Sequence, residues 1–270
     1  MDPYADNASP LPRSVMLALW LGASSRPGAG DAVTRAAAAV QGDDEPHVVD
    51  GLGGAANLAT LLETWSGDAS ARRATAVAAL LPAPGDSAAV PVGVAHDAVD
   101  AGECVLVETP GGSFAAVPHV DRFGSDLEPG HLVRWHVQPV EPWRLRLLGT
   151  LGTLEEAERG LRRALATAVE ALDALDVSRW REDAAAEIAR LREPVDLTPF
   201  VPRGLDPRRV RALSQAVRLG AIVRLATVDD GAAVNVFQTD QRDAALRSVE
   251  VAARHAMAAA SVVPGPGDRD

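Results

Sequence analysis

An α+β fold is what this sequence predicts: a central, mainly antiparallel sheet of about four strands, helices before it and a helical bundle after it. Three observations carry that expectation. Val133, Trp135 and Val137 alternate with Arg134, His136 and Gln138, the period of a half-buried strand. Cys104–Glu108 and Ser113–Val120 are apolar runs flanking Thr109-Pro110-Gly111-Gly112, which reads as a hairpin turn. After residue 153 the rhythm becomes helical, with Leu161, Leu165, Ala168, Leu172 and Leu175 on one seam.

Taken in order, Pro10 or Pro12 starts a helix that ends near Gly22, and Val15–Gly22 is read as its buried amphipathic part. Asp31 caps a second helix closed by Gly42, and Asp43-Asp44-Glu45-Pro46 reads as a solvated turn. His47–Val49 is a short extended piece, and a helix runs from about Ala56 to Trp65. Ala74–Leu81 is apolar throughout, so periodicity leaves strand and helix equally open. Residues 82–93, rich in Pro and Gly, read as a loop and a boundary candidate, and Ala95–Ala101 as one or two helical turns.

The sheet is expected across 103–148, with Trp143, Leu145 and Leu147 forming its last strand opposite Arg144 and Arg146. Thr153 and Glu156 have the spacing of a capping box. Ser178 caps a helix with Trp180, Ala184, Ile188 and Leu191 on one face, and residues 194–205 connect it to the next. Asp206-Pro207 opens a helix to about Val228, and Thr239 or Asp240 opens the last. The organisation expected is a mixed region over 1–150 and a helical region over 151–270, possible as one continuous domain.

Composition narrows the function. Net charge is −11 and there is no lysine, so Schiff-base chemistry and lysine-dependent phosphate loops are excluded and general nucleic-acid binding is disfavoured. Arginine in place of lysine, with abundant Ala, Gly and Pro, is the usage of a GC-rich bacterium. Cys104 stands alone, which excludes an intrachain disulfide and fits a reducing cytoplasm. No apolar run reaches the roughly 20 residues that span a bilayer, so no membrane role is expected.

Motifs add little chemistry. GLGGAA at 51–56 has dinucleotide-loop spacing, but no ribose-binding acid follows the next apolar segment; it reads as a glycine-rich approach to a helix, and no cofactor is expected. The six histidines show no metal spacing, although His119 and His136 fall on neighbouring strands; no metal is expected. No nucleophile elbow exists, and Cys104 reads as an inert core thiol. The helix over 207–228 carries five arginines and no acid, a face able to bind phosphate or an acidic partner but read as pairing with the glutamates of 155–193 or with the acidic first half.

The one place where polar chemistry converges is Arg134, His136, Arg144 and Arg146, expected on one strand face and suited to a carboxylate or phosphate. The reading is therefore a non-enzymatic binding or protein-interaction protein, with a protein partner or itself as ligand. A homodimer would use the Leu161–Leu175 seam, which packs equally well inside the subunit. An enzyme or small-anion binder built around the arginine face is the alternative.

Overall fold

The structure, a computed structural model, describes residues 9–24, 31–54, 56–67, 73–125, 128–173, 195–228 and 236–263. The fold is α+β, and the chain divides into two compact units. Unit 1 is Met1–Leu151, Leu197–Leu205 and Ser261–Asp270; unit 2 is Gly152–Asp196 and Asp206–Ala260. The loop of 82–93 lies inside unit 1.

Unit 1 holds α1 (Arg13–Ser24), α2 (Ala32–Gln41), β1 (Val48–Asp50), β2 (Ala56–Asn57), α3 (Leu58–Ser66), β3 (Ala76–Leu80), α4 (Ala95–Ala101), β4 (Cys104–Thr109), β5 (Gly112–Gly124), β6 (Pro129–Val140) and α5 (Arg144–Leu151). Among the described residues its sheet has six strands, not four, in the order β2-β1-β6-β5-β4-β3. Neighbours are antiparallel except β1 and β6, which run parallel. The extra strands escape periodicity for two reasons. β1 and β2 have three and two residues, too few to show a period. β3, Ala-Val-Ala-Ala-Leu, is buried at every position and so has no polar face to alternate with.

The expected last strand is a helix. Trp143, Leu147 and Leu151 are buried, Leu145 is 88% exposed, and Leu147 N–H donates to the Trp143 carbonyl at 2.9 Å. An apolar residue at every second position also contains one at every fourth, and Pro142 just ahead suits a helix start. Arg144 and Arg146 therefore sit on α5 and not on the sheet.

The apolar side of β6 is as expected: Val133, Trp135 and Val137 are buried, and Arg134 and His136 point out. α1, from the start of the chain, packs against β3, β4 and β5. α1 also packs against α2 and α3. Its Val15–Leu21 are buried on all sides, so the helix is not amphipathic as expected but enclosed. Each large apolar side chain buried this way contributes about 1.5–3 kcal/mol.

Unit 2 contains α6 (Leu154–Asp173), α7 (Pro207–Val228) and, as far as Ala260, α8 (Val236–Ser261). The capping box forms: Glu156 N–H donates to Thr153 Oγ1 at 3.2 Å and Thr153 N–H to Glu156 Oε2 at 2.8 Å. Asp206 caps α7 through the Arg208 amide at 2.8 Å. Arg208 is held by Glu158, its Nη2 2.7 Å from Oε2, and Arg209 donates to the Ala260 carbonyl at 2.9 Å, so two of the helix's arginines pair internally. Leu161 is fully buried and Leu165 half-buried; the side chains of Ala168, Leu172 and Leu175, and the whole helix expected at 178–193, lie outside the described residues. α8 opens at Val236, ahead of Thr239.

Candidate functional site

The densest polar chemistry lies beneath the sheet, at residues that no sequence motif singles out. Arg13 opens α1 with its side chain 2% exposed, and a buried guanidinium requires a counter-charge. Asp44, between α2 and β1, supplies it: Arg13 Nε donates to Oδ2 at 2.6 Å and Nη2 to Oδ1 at 2.8 Å. This corrects the reading of residues 43–46 as a solvated turn, since the Asp44 side chain is 6% exposed. His47 Nε2 lies 3.2 Å from Asp44 Oδ2, and His131 Nδ1, from β6, lies 3.3 Å from Oδ1. Trp135 Nε1–H, also on β6, donates to His47 Nδ1 at 3.1 Å. An indole nitrogen only donates, so Nδ1 is the acceptor and neutral His47 carries its proton on Nε2, facing Asp44.

Glu103 completes the cluster. It precedes β4, is 3% exposed, and its Oε2 accepts the Ser14 amide at 2.7 Å. That amide is in the first turn of α1, where no intrahelical acceptor exists. Burial pushes the Glu103 carboxyl up, and the Ser14 amide only partly offsets it. Burial pushes His47 down against the hydrogen bond it donates to Asp44. Burial works to raise Asp44 too, but the hydrogen bonds of His47 and Arg13 and the charge of Arg13 hold it at about 2. Both ring nitrogens of His47 and both oxygens of Asp44 are engaged. The cluster ties α1, the α2–β1 turn and β6 together, and neither residue has a lone pair or proton left for a substrate.

Cys104 is equally closed. Its thiol is fully buried, and burial followed by the charge of Glu103 pushes its pKa up to about 12. Native protein at pH 8 is expected to resist iodoacetamide and to label only after denaturation. Rapid native labelling, followed by mass, would show that the β4 end of the sheet opens.

The outer face of the sheet carries the residues expected from sequence, but not all together. Arg134 and His136 are about half exposed and share Asp50 of β1, with Arg134 Nη1 at 3.0 Å and His136 Nε2 at 3.6 Å from Oδ2. His119 of β5 faces Arg134 in register, and its ring centroid is 4.5 Å from that of His136. Arg144 is elsewhere, its Nε 3.4 Å from Glu108 Oε2 of β4. Arg146 donates to the Val90 carbonyl at 3.3 Å and lies 3.8 Å from Glu141. Thus two of the four meet, and two take separate partners because α5 turns them away. Among the described residues no group of three or more His, Cys, Asp or Glu is placed to hold a metal.

The glycines of 51–56 belong to the β1–β2 turn, after which Asn57 caps α3 by accepting the Thr60 amide at 2.9 Å. The backbone here reaches a helix through a short strand and a side-chain cap, not through a phosphate loop.

Beyond this patch the β5–β6 hairpin extends past its pairing with β4 and β1, with the Glu45 N–H donating to the His131 carbonyl at 3.0 Å. β5 pairs with β4 only over 112–116 and β6 with β1 only over 134–136, whereas β5 and β6 stay paired out to Gly124 and Pro129. This outer ribbon exposes Val120, Phe123 and Leu132. A Cβ placed on Gly130 would meet the Phe123 ring at 2.4 Å, so the ring covers the glycine across the strands.

No curated protein and no solved structure matches the chain. Among the described residues no helix is long and apolar enough to cross a membrane. Residues 14–147 match the family Rv1486c-like protein, N-terminal domain, and residues 155–258 match Rv1486c-like protein, C-terminal domain. The two matches follow one another and together span most of the chain, which therefore belongs to the Rv1486c-like proteins.

Proposed function

We propose that this chain acts by binding and that its ligand is a protein of net positive charge, engaged through the outer β5–β6 ribbon. The observation that carries this reading is the exposure of Phe123 and Leu132 on one face of the ribbon, beside Asp121 and Arg134. An exposed apolar group rimmed by polar residues marks an interaction surface. The sign of the partner follows from charge. Residues 1–150 carry 18 acids against 9 arginines, a balance of −9 within a chain of −11. Such a surface repels a second copy and steers a basic partner.

The test is site-specific photo-crosslinking in cells, with the probe residue at Leu132 or at Val92, which is 71% exposed and belongs to neither β5 nor β6. Expected is one basic protein captured from Leu132 and not from Val92, and less of it when the same crosslinking is run in lysate at raised salt. Equal capture from both positions removes the reading. A covalent dimer of the chain assigns the ribbon to a second copy instead.

A second reading rests on Arg134 and His136 standing together beside His119. A small carboxylate or phosphate that displaces Asp50 from Arg134 would meet two cationic or donor groups at once. Stabilisation of the wild type, but not of Arg134→Ala, in a thermal-shift series of phosphate and dicarboxylates supports it; no shift with any anion removes it.

A further inference from the structure

Among the described residues β3 is the last strand of the sheet, so one of its edges has no partner strand there. That edge belongs to Ala-Val-Ala-Ala-Leu, a segment with no charge, no proline and no glycine. Such an edge is a template for strand addition by another chain. It is not left open. Val77 and Val263 form an antiparallel bridge in which Val263 N–H donates to Val77 O at 2.7 Å and Val77 N–H to Val263 O at 3.3 Å. Two residues on, Ala79 N–H donates to Ser261 Oγ at 2.9 Å, with Ser261 fully buried. The bridge is seated by α1: a Cβ on Gly22 would lie 2.2 Å from Val263 Cγ2, so only glycine leaves room for that side chain.

We infer that Ser261–Val263 is a strap whose role is to keep the β3 edge from pairing with a second copy of this chain. Along an antiparallel strand, successive residues direct their N–H and C=O to opposite sides. Val77 and Ala79 face the strap, so Ala76, Ala78 and Leu80 face β4. The strap meets the two exposed amide donors, with Ser261 using a side-chain oxygen where the helix has not yet released its backbone. Strap and edge are on one chain, so the contact is intramolecular and outcompetes an incoming strand at ordinary concentrations. Nothing in this inference depends on the outer ribbon, which lies at the far side of β5.

The experiment compares the intact chain with one ended after Ala260, by sedimentation over a range of concentrations. The shortened chain is expected to rise to the mass of a dimer or beyond where the intact chain's mass does not change. Adding Val77→Pro to the shortened chain should reverse this, because Val77 has no bond to β4 to lose and proline is tolerated on an edge strand. A shortened chain that behaves like the intact one overturns the inference, as does association that survives Val77→Pro. Should shortening unfold the protein, hydrogen exchange on full-length Val263→Pro decides. Selective loss of protection at Val77 and Ala79, with Ala78 unchanged, supports the strap; uniform loss across β3 overturns it.

Discussion

Asp44→Ala is expected to lower the unfolding free energy by about 3–5 kcal/mol, the range for removing one partner of a buried ion pair. The loss is large because Arg13 cannot follow Asp44 into water: its side chain is 2% exposed and anchored at the start of an enclosed helix. His47 and His131 lose their acceptor in the same step. Urea unfolding with an unchanged m-value would measure the effect. A loss under about 1 kcal/mol would mean that the pair behaves as a surface salt bridge and that water reaches Arg13.

The same cluster gives stability a pH dependence with a defined sign. Asp44 has a folded pKa of about 2 against an ordinary 3.8, so the unfolded chain takes up the proton first. Its contribution is complete above the unfolded value and disappears as pH falls toward 2. His47 is also held below its ordinary 6.5, so the unfolded chain again protonates first and stability declines as pH drops through that value. Glu103 acts in the opposite sense: its carboxyl is raised, so the folded state is the tighter proton binder and stability is lost as pH rises through the folded value. In Asp44→Ala the decline between about pH 4 and 2 should flatten, which a melting series across that window would register.

Gly51→Ala is the second large effect. Gly51 has φ +96, and a Cβ there would stand 1.9 Å from the Val137 carbonyl oxygen and 2.8 Å from its carbon. Both obstacles are backbone, so no side chain can swing aside. Strain and overpacking each cost about 1–3 kcal/mol, and the expected loss is about 3 kcal/mol or more. Gly53 is the internal control, with the same φ of +96 and nothing within 4 Å of its Cβ. Gly53→Ala should cost about 1–2 kcal/mol, the conformational part alone. Equal losses in the two variants would show that β1 does not approach β6 this closely.

These glycines illustrate how far sequence reading reaches. Gly51 and Gly53 stand in one motif and look alike as letters; one is required by a carbonyl on a strand more than 80 residues away, the other only by its own dihedral. The hairpin of β4 and β5 was legible because a two-residue turn with glycine is a local signal. The exposed face of β6 was legible because half-burial writes a period of two into the chain. α5 was misread because eight residues satisfy two periods at once, and β3 was undecided because burial on both faces erases the period.

The candidate site divides along the same line. Arg134 and His136 could be paired from their spacing on one strand. Their acid, Asp50, could not, because it arrives through a parallel pairing of β1 with β6. The Arg13 cluster left only a faint trace: a single arginine at the head of an apolar helix, and an acid shortly before a histidine. Arg13 and Asp44 are 31 residues apart and His47 and Trp135 are 88 apart.

By itself, then, the sequence determined the α+β class, the caps and turns, and which side of β6 faces water, since each is set by neighbours within a few residues. Tertiary structure alone decided that α1 is enclosed against the sheet, that Asp44 is buried, that the β3 edge is strapped by Val263, and that Arg144 and Arg146 leave the arginine face. The physical reason is that a buried polar group or an open strand edge is costly until it finds a partner, and the partner is chosen by the register of distant elements, which no local pattern records.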